Sequence, residues 1–444
     1  MDRRNYIKTV SLTGVAVLAG CIGEDNQEPS AGSDSTDQGG ESDSDSDTAD
    51  ETDDEDFVEY KEPPEATYTV AQDGSADYEE LDDAYRIAEE GDVIGVSSGE
   101  YVLTEPVSSV SFVGDGKDET TITVTGSSNL RVDSTNFWDM ELQADPDLDG
   151  YFEDFSSEMY SVRCDASFYG GFPETISSGL LVARDSEFTG QYPIEFLGEE
   201  DVGADNIDKD EIPIIYGIGI QAQDCTFDGV VMSNRGPWAD ESLLLKDCDF
   251  NNKLMIGHEQ SGRVVGNSLS GIDIAADPAD AGDLVFRQNI IDPIPGTNLA
   301  VHVTSDGDRK REEAARWEFR AGDYFFNRVN GKFKIDEFEY SDTLLPRELR
   351  GNVFDHEGVE WYFDGFGPKT FYGNAFINGD IRIDIDTSTK VYNQDAEIGN
   401  YYSEFAEAES ADEGVLELPR PIPGDAELTD QYPLASSDIE SYID

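Results

Sequence analysis

The apolar positions of residues 67–125 predict a strand, a short amphipathic helix, a further strand and a Gly-rich turn. In the helix, drawn from about Tyr78 to Glu90, Leu81, Ala84, Tyr85 and Ala88 share one face. Asp77 is placed to cap its start and Gly91 follows its end. Farther on the pattern changes from single elements to a repeated phrase. It reads Asp165-Ala-Ser-Phe168, Asp185-Ser-Glu-Phe188, Asp224-Cys-Thr-Phe227, Asp247-Cys-Asp-Phe250, Gly266-Asn-Ser-Leu269, Arg287-Gln-Asn-Ile290, Gly351-Asn-Val-Phe354 and Gly373-Asn-Ala-Phe376. Several copies lie about twenty residues apart, a period at which one repeat stacks on the next as one turn of a coil. The large apolar residue in fourth place then points inward, onto its equivalent one strand spacing away, about 4.8 Å. The second place holds Ala166, Ser186, Cys225, Cys248, Asn267, Gln288, Asn352 and Asn374, small or amide side chains that can form a hydrogen-bonded ladder through the bends.

The stretch Tyr68-Thr-Val-Ala-Gln-Asp-Gly-Ser75, with Gly91-Asp92, Gly99-Glu-Tyr101 and Gly114-Asp-Gly116 after it, resembles the opening of the right-handed parallel β-helix, or pectin-lyase-like, family. The resemblance implies an all-β fold: a single-stranded right-handed parallel β-helix with an N-terminal capping helix that protects the first coil edge. It also implies polysaccharide as the class of partner. The domain is drawn from 67 to 402, with an insertion at 305–350 and an acidic C-terminal tail at 403–444, where Leu418-Pro-Arg-Pro-Ile-Pro-Gly424 is unsuited to strands. Cys225 and Cys248 stand in the same register of adjacent turns, so either a disulfide or a pair of stacked thiols fits there, and Cys164 lies one place out of register.

The first 66 residues have a different character. Arg3 and Arg4 precede an apolar run from Val10 to Ala19, too short for a stable membrane span, and the run ends in Leu18-Ala-Gly-Cys21. This order resembles a haloarchaeal-type twin-arginine exported lipoprotein with Cys21 as the lipidated N-terminus. Residues 22–66 are dominated by Asp, Glu, Ser, Gly and Thr and read as a disordered acidic tether. Localisation follows as the outer face of the cell membrane, with membrane contact through the lipid alone. The whole chain holds 98 Asp and Glu against 29 Lys and Arg, a net charge of −69, which excludes nucleic-acid binding by a general basic field. The excess resembles halophilic adaptation; the alternative is a calcium-loaded acidic protein. No cofactor is named by the residues beyond Ca²⁺ as a candidate hard cation, and the expected state is a monomer.

None of the catalytic patterns of the family it resembles is intact in this chain. The residues nearest to them are His258 with Glu259, and Asp355-His356-Glu357, which stand as candidate acid–base groups. His302 with Asp306 and Asp308 offers ligands for a hard cation. The segment 305–350 holds 10 of the 29 Lys and Arg, with Trp317, Tyr324, Phe325, Phe326 and Phe333 among them. Arg316, Trp317 and Arg320 are its candidate sugar-binding residues, in a lip that grips an acidic glycan; the competing reading is an insertion docked by ion pairs. Three function classes remain: a protein that binds and possibly cleaves polysaccharide (a lyase or glycoside hydrolase if an enzyme), a structural or adhesion protein of the envelope, and, weakest, a copper-enzyme maturation factor. An enzyme should gather carboxylates with Arg, Lys or His on one face of stacked turns. A binder should show an aromatic and basic strip, and an adhesin neither.

Overall fold

The computed structural model describes residues 57–439 apart from 106, 126–129, 145–150, 170–179, 191–212, 217–218, 234–242, 257–261, 277–283, 306–322, 336–347, 357–359, 366–369, 386–389, 404–413, 417–418 and 424–426. It is an all-β, right-handed parallel β-helix with three faces. On the first face Leu180–Arg184, Gly219–Gln223, Leu243–Lys246, Gly262–Val265, Leu284–Arg287, Asp323–Phe325, Glu348–Arg350 and Thr370–Tyr372 pair in succession, every pairing parallel. Short strands such as Thr226–Phe227, Asp249–Phe250 and Ser268–Leu269 stack as the second face, and Val230–Ser233, Leu254–Ile256, Ile272–Ala276 and Leu299–Ser305 as the third. Earlier turns run continuously, so that the fifteen residues Leu130–Ala144 and Tyr151–Asp165 each pass through more than one face.

The sharp bend between first and second faces explains the first half of the repeat phrase. Asp185, Asp224, Asp247, Gln288 and Phe326 have φ between 53° and 56°, and Gly266, Gly351 and Gly373 between 65° and 71°. One left-handed residue per turn redirects the chain, and Gly and Asp adopt that conformation at low cost. The next residue faces inward at the bend, and two residues later comes a core side chain. Phe188, Phe227 and Phe250 stack at 4.9 and 4.6 Å, and Phe354, Phe376 and Tyr402 at 5.0 and 5.7 Å. Burial of such rings contributes about 2–3 kcal/mol each, which makes this column a main source of stability.

Two phrases shift register against the sequence reading, and one further phrase lies inside the segment read as an insertion. At the turn of Arg287 the left-handed residue is Gln288, so the ladder residue is Asn289. Phe168 pairs with Ile215 on the third face, while Cys164 takes the second-face position opposite Phe188. The segment 305–350 contributes a turn of its own, through Asp323–Phe325, Arg328–Val329 and Lys332–Ile335, with Asn327 at its bend. The missed phrase is Phe326-Asn327-Arg328-Val329, whose first residue is not one of the types that mark this bend elsewhere.

Asn267, Asn289, Asn327, Asn352, Asn374 and Asn400 form one ladder. From Asn289 onward each side-chain oxygen accepts from the backbone N–H of the preceding Asn at 2.9–3.1 Å, and all six amides donate to a backbone carbonyl. The two cysteines continue the column: the backbone N–H of Cys248 donates to the Asn267 side chain, and the thiols of Cys225 and Cys248 donate to the carbonyls of Gln223 and Lys246. No disulfide joins them; Cys164, Cys225 and Cys248 are free and buried. Burial, and for Cys248 also its neighbour Cys225, pushes the thiols of Cys164 and Cys248 well up. All three should therefore stay unmodified by a thiol reagent such as DTNB in the native protein and react only after unfolding. Fast native reaction of any one would contradict its placement.

The first-turn helix is shorter than expected, Leu81–Tyr85, with Leu81 and Ala84 in the core. Asp77 does not cap it, because its carboxylate accepts from the N–H and hydroxyl of Thr69. At the other end, described parts of the tail close onto the last turn. Leu434 bridges to Tyr401, and the antiparallel pair Arg420–Pro421 with Thr429–Asp430 brings Asp430 beneath Asn400. Among the described residues no helix is long and apolar enough to cross a membrane.

Candidate functional site

Side chains that alternate outward on a parallel strand stack on the same place of the next strand, so a coil writes rows of like position along its surface. On the first face one such row runs Trp138, Tyr160, Arg184, Gln223, Lys246, Val265, Arg287, Phe325, Arg350 and Tyr372. For a chain of net charge −69 this row is notably free of carboxylates. The guanidinium groups lie over aromatic rings. Arg350 is 5.4 Å from the Phe325 centroid and 5.9 Å from Phe326, and Arg287 is 5.7 Å from Phe326. The rings hold the planar cations flat against the face, each contact adding about 0.5–1 kcal/mol. The Nε of Arg350 is buried with no hydrogen-bond partner among the described residues.

The N-terminal half of the same row carries a strap. Residues 57–61, drawn from sequence into the tether, lie on it in order. Lys61 accepts from the Trp138 indole at 2.9 Å and pairs with Glu158, and Tyr60 stands edge-on to Tyr160. Val58 accepts from Arg184 at 2.6 Å. The Phe57 N–H donates to Gln223, and its ring lies 5.7 Å from the Lys246 ammonium and 4.7 Å from the Arg263 guanidinium.

A second row, on the third face, is ionisable. Asp273, His302, Lys334, Tyr362 and Arg382 are register partners on successive turns. Asp273 is 7% exposed, and its Oδ1 is 3.5 Å from the His302 Nδ1. The carboxylate thus faces the imidazole ring from the neighbouring turn.

Arg3, Arg4, Cys21, His258, Glu259, Arg316, Trp317, Arg320 and Glu357 lie outside the described residues, as do Asp306 and Asp308. His356 is half-buried at the end of Val353–Asp355. Asp355 has both oxygens engaged: Oδ2 accepts from Arg328 at 2.7 Å and Oδ1 from Asn378 at 2.9 Å, across neighbouring turns. That is the work of a turn-to-turn tie, matched by Asn330 to Asp292 and Asn251 to Asp228. Among the described residues no three His, Cys, Asp or Glu come close enough to hold a metal ion. The first-face row was partly legible, since Phe325, Phe326 and Arg350 belong to the segment singled out by charge. The third-face row was not, because its members are separated by 20 to 32 residues and only the register joins them.

No family model matches the chain, and no curated protein matches it. A solved structure similar to it is the catalytic unit of a thermostable GH87 alpha-1,3-glucanase from Streptomyces thermodiastaticus, at 15% identity and a TM-score of 0.32, covering 78% of this chain and 67% of that one. At that level the likeness assigns no substrate to this chain.

Proposed function

We propose that the protein binds an acidic polysaccharide along the first face of its coil, as a surface protein exported by the Arg3-Arg4 signal and anchored through a lipid on Cys21. The observation that carries this reading is the row Arg287, Phe325, Arg350 and Tyr372, with the ring of Phe326 at the bend beside it. The guanidinium groups of Arg287 and Arg350, two turns or roughly 10 Å apart, meet carboxylates spaced along a uronic-acid chain, and ring faces stack on sugar rings. Carboxylates over the rest of the surface repel such a chain, so the strip also selects where it lies.

The test is affinity electrophoresis of the full chain in gels containing polygalacturonate or neutral dextran. Retardation is expected in polygalacturonate only, and Arg350→Ala or Arg287→Ala should weaken it about tenfold, the scale of one charge-assisted contact of roughly 1.4 kcal/mol. Equal mobility of wild type and both variants in every gel would remove the reading. A catalytic role has one observation in its favour, the imidazole of His302 between Asp273 and Lys334. Release of unsaturated or reducing ends, lost in His302→Ala while polysaccharide binding persists, would establish it.

A further inference from the structure

We infer that the strap, residues 57–61, is a displaceable cover over a second sugar-binding place on the first face, the ring pair Trp138 and Tyr160, and that this place takes an uncharged sugar ring. Neither part rests on the proposed polyanion strip. Trp138 and Tyr160 are register partners in the outward row of the coil, yet they are only 4% and 0% exposed. They lie outside the main core. With Val58 they form a separate apolar cluster, bordered by Tyr60, Val113 and Val182. Val113 and Val182 belong to the same face of the coil, so it is the strap, through Val58 and Tyr60, that takes the two rings out of water.

The strap is held in a way that lets it leave. Among the described residues, 57–66 make no backbone–backbone hydrogen bond; the first runs from the Thr67 N–H to the Val93 carbonyl at 2.7 Å. The ties of the strap run to side chains instead: its Lys61 carbonyl to Trp138, its Val58 carbonyl to Arg184, and its Phe57 and Val58 N–H groups to Gln223. The Lys61 ammonium pairs with Glu158 at 2.7 Å, but the two side chains are 54% and 26% exposed, and an ion pair so placed is weak and screened by salt. These few contacts must offset the entropy of ordering five residues, so the strap opens while the coil stays folded. The same contacts define what replaces it. Val58 supplies an apolar surface, the Lys61 carbonyl an acceptor for the Trp138 indole, and the Lys61 ammonium a donor to Glu158. A sugar ring offers all three, because its C–H face is apolar and each hydroxyl both donates and accepts. The Glu158 carboxylate repels a uronate there, which selects an uncharged ring.

Two measurements on the full chain test this. The first is affinity electrophoresis in gels of dextran, mannan and galactan. A closed strap lowers apparent affinity to the fraction of molecules in which it is open. The variant Val58→Asp with Tyr60→Ala, which changes no residue of the coil, should therefore bind at least one of these neutral chains at least about fivefold more tightly than wild type. Adding Trp138→Ala should remove the gain. No gain in any of the three gels, or a gain that survives Trp138→Ala, would overturn the ring pair as a sugar site. The second measurement is trypsin cleavage after Lys61 in wild type, which needs no altered chain to fold and follows the open fraction of the strap. Adding dextran, mannan or galactan should speed it by about threefold or more with at least one of them. An unchanged or slower rate with all three would overturn displacement. Retardation in polygalacturonate is read separately, so the polyanion reading can fail while this one stands, and the reverse.

Discussion

Replacing Asn352 by Ala should cost about 4 kcal/mol of stability and lower the apparent melting temperature by on the order of 5 °C. The side chain is fully buried, and its oxygen accepts from both the backbone N–H and the side-chain amide of Asn327 at 3.0 Å. Its amide donates to the carbonyls of Tyr324 and Arg350 and to Asn374. Alanine leaves the Asn327 N–H and the Tyr324 carbonyl without these partners inside the coil, and each such group costs about 1–3 kcal/mol. Asn251→Ala, which removes an exposed bond to Asp228, is the control and should shift the melting temperature by less than about 1 °C. Coiled repeats unfold in parts, so the comparison is of melting curves at one molar salt concentration rather than of extrapolated free energies. Equal losses in the two variants would contradict the ladder.

The second large effect is a pH dependence that resides in one residue. Asp430 is fully buried at the end of the ladder, where it accepts from the Asn400 N–H at 2.7 Å, the Tyr402 hydroxyl at 3.1 Å and the Tyr432 N–H at 3.0 Å. Burial outweighs these donors and pushes its carboxyl from the usual 3.8 up to about 6. A carboxyl with a raised folded-state value binds its proton more tightly in the fold than in the unfolded chain. Its contribution to stability is therefore fully present below about pH 3.8 and is lost as the pH rises through about 6, by about 3 kcal/mol in all. Other carboxylates titrate in the same range, so the quantity to measure is the difference between wild type and Asp430→Asn. Wild type minus variant should fall as pH rises from 4 to 7. The variant also loses one acceptor, because an amide cannot accept at both ends, but that penalty does not change with pH. A constant or rising difference would show that the Asn400, Tyr402 and Tyr432 donors outweigh burial.

What was legible in the sequence follows the physics of the coil. The left-handed bend admits few residue types cheaply, so Asp or Gly followed by a small or amide residue stands out, and the turns from Asp185 to Leu269 could be placed correctly. At Phe326 the bend carries an aromatic residue, and the turn it opens was read as part of an insertion. At Arg287 the phrase was set one place early because Gln288 and Asn289 are both amides, and only the hydrogen bonds of Asn289 to Asn327 and Asn267 choose between them. The strap was missed for another reason. Residues 57–61 follow a long acidic run and show no periodicity, yet Phe57, Val58 and Tyr60 pack on Trp138, Tyr160 and the Lys246–Arg263 pair. Of the candidate site, the cationic and aromatic composition was visible, while the row it forms needed the register of turns whose first-face strands begin up to 39 residues apart.

The most direct measurement is hydrogen–deuterium exchange of the full chain with and without polygalacturonate. Binding on the first face should slow exchange in Leu284–Arg287, Asp323–Phe325 and Glu348–Arg350 and leave the second-face strands Thr226–Phe227 and Asp249–Phe250 unchanged. Slowed exchange confined to the third-face strands Ile272–Ala276 and Leu299–Ser305, or none at all, would contradict it.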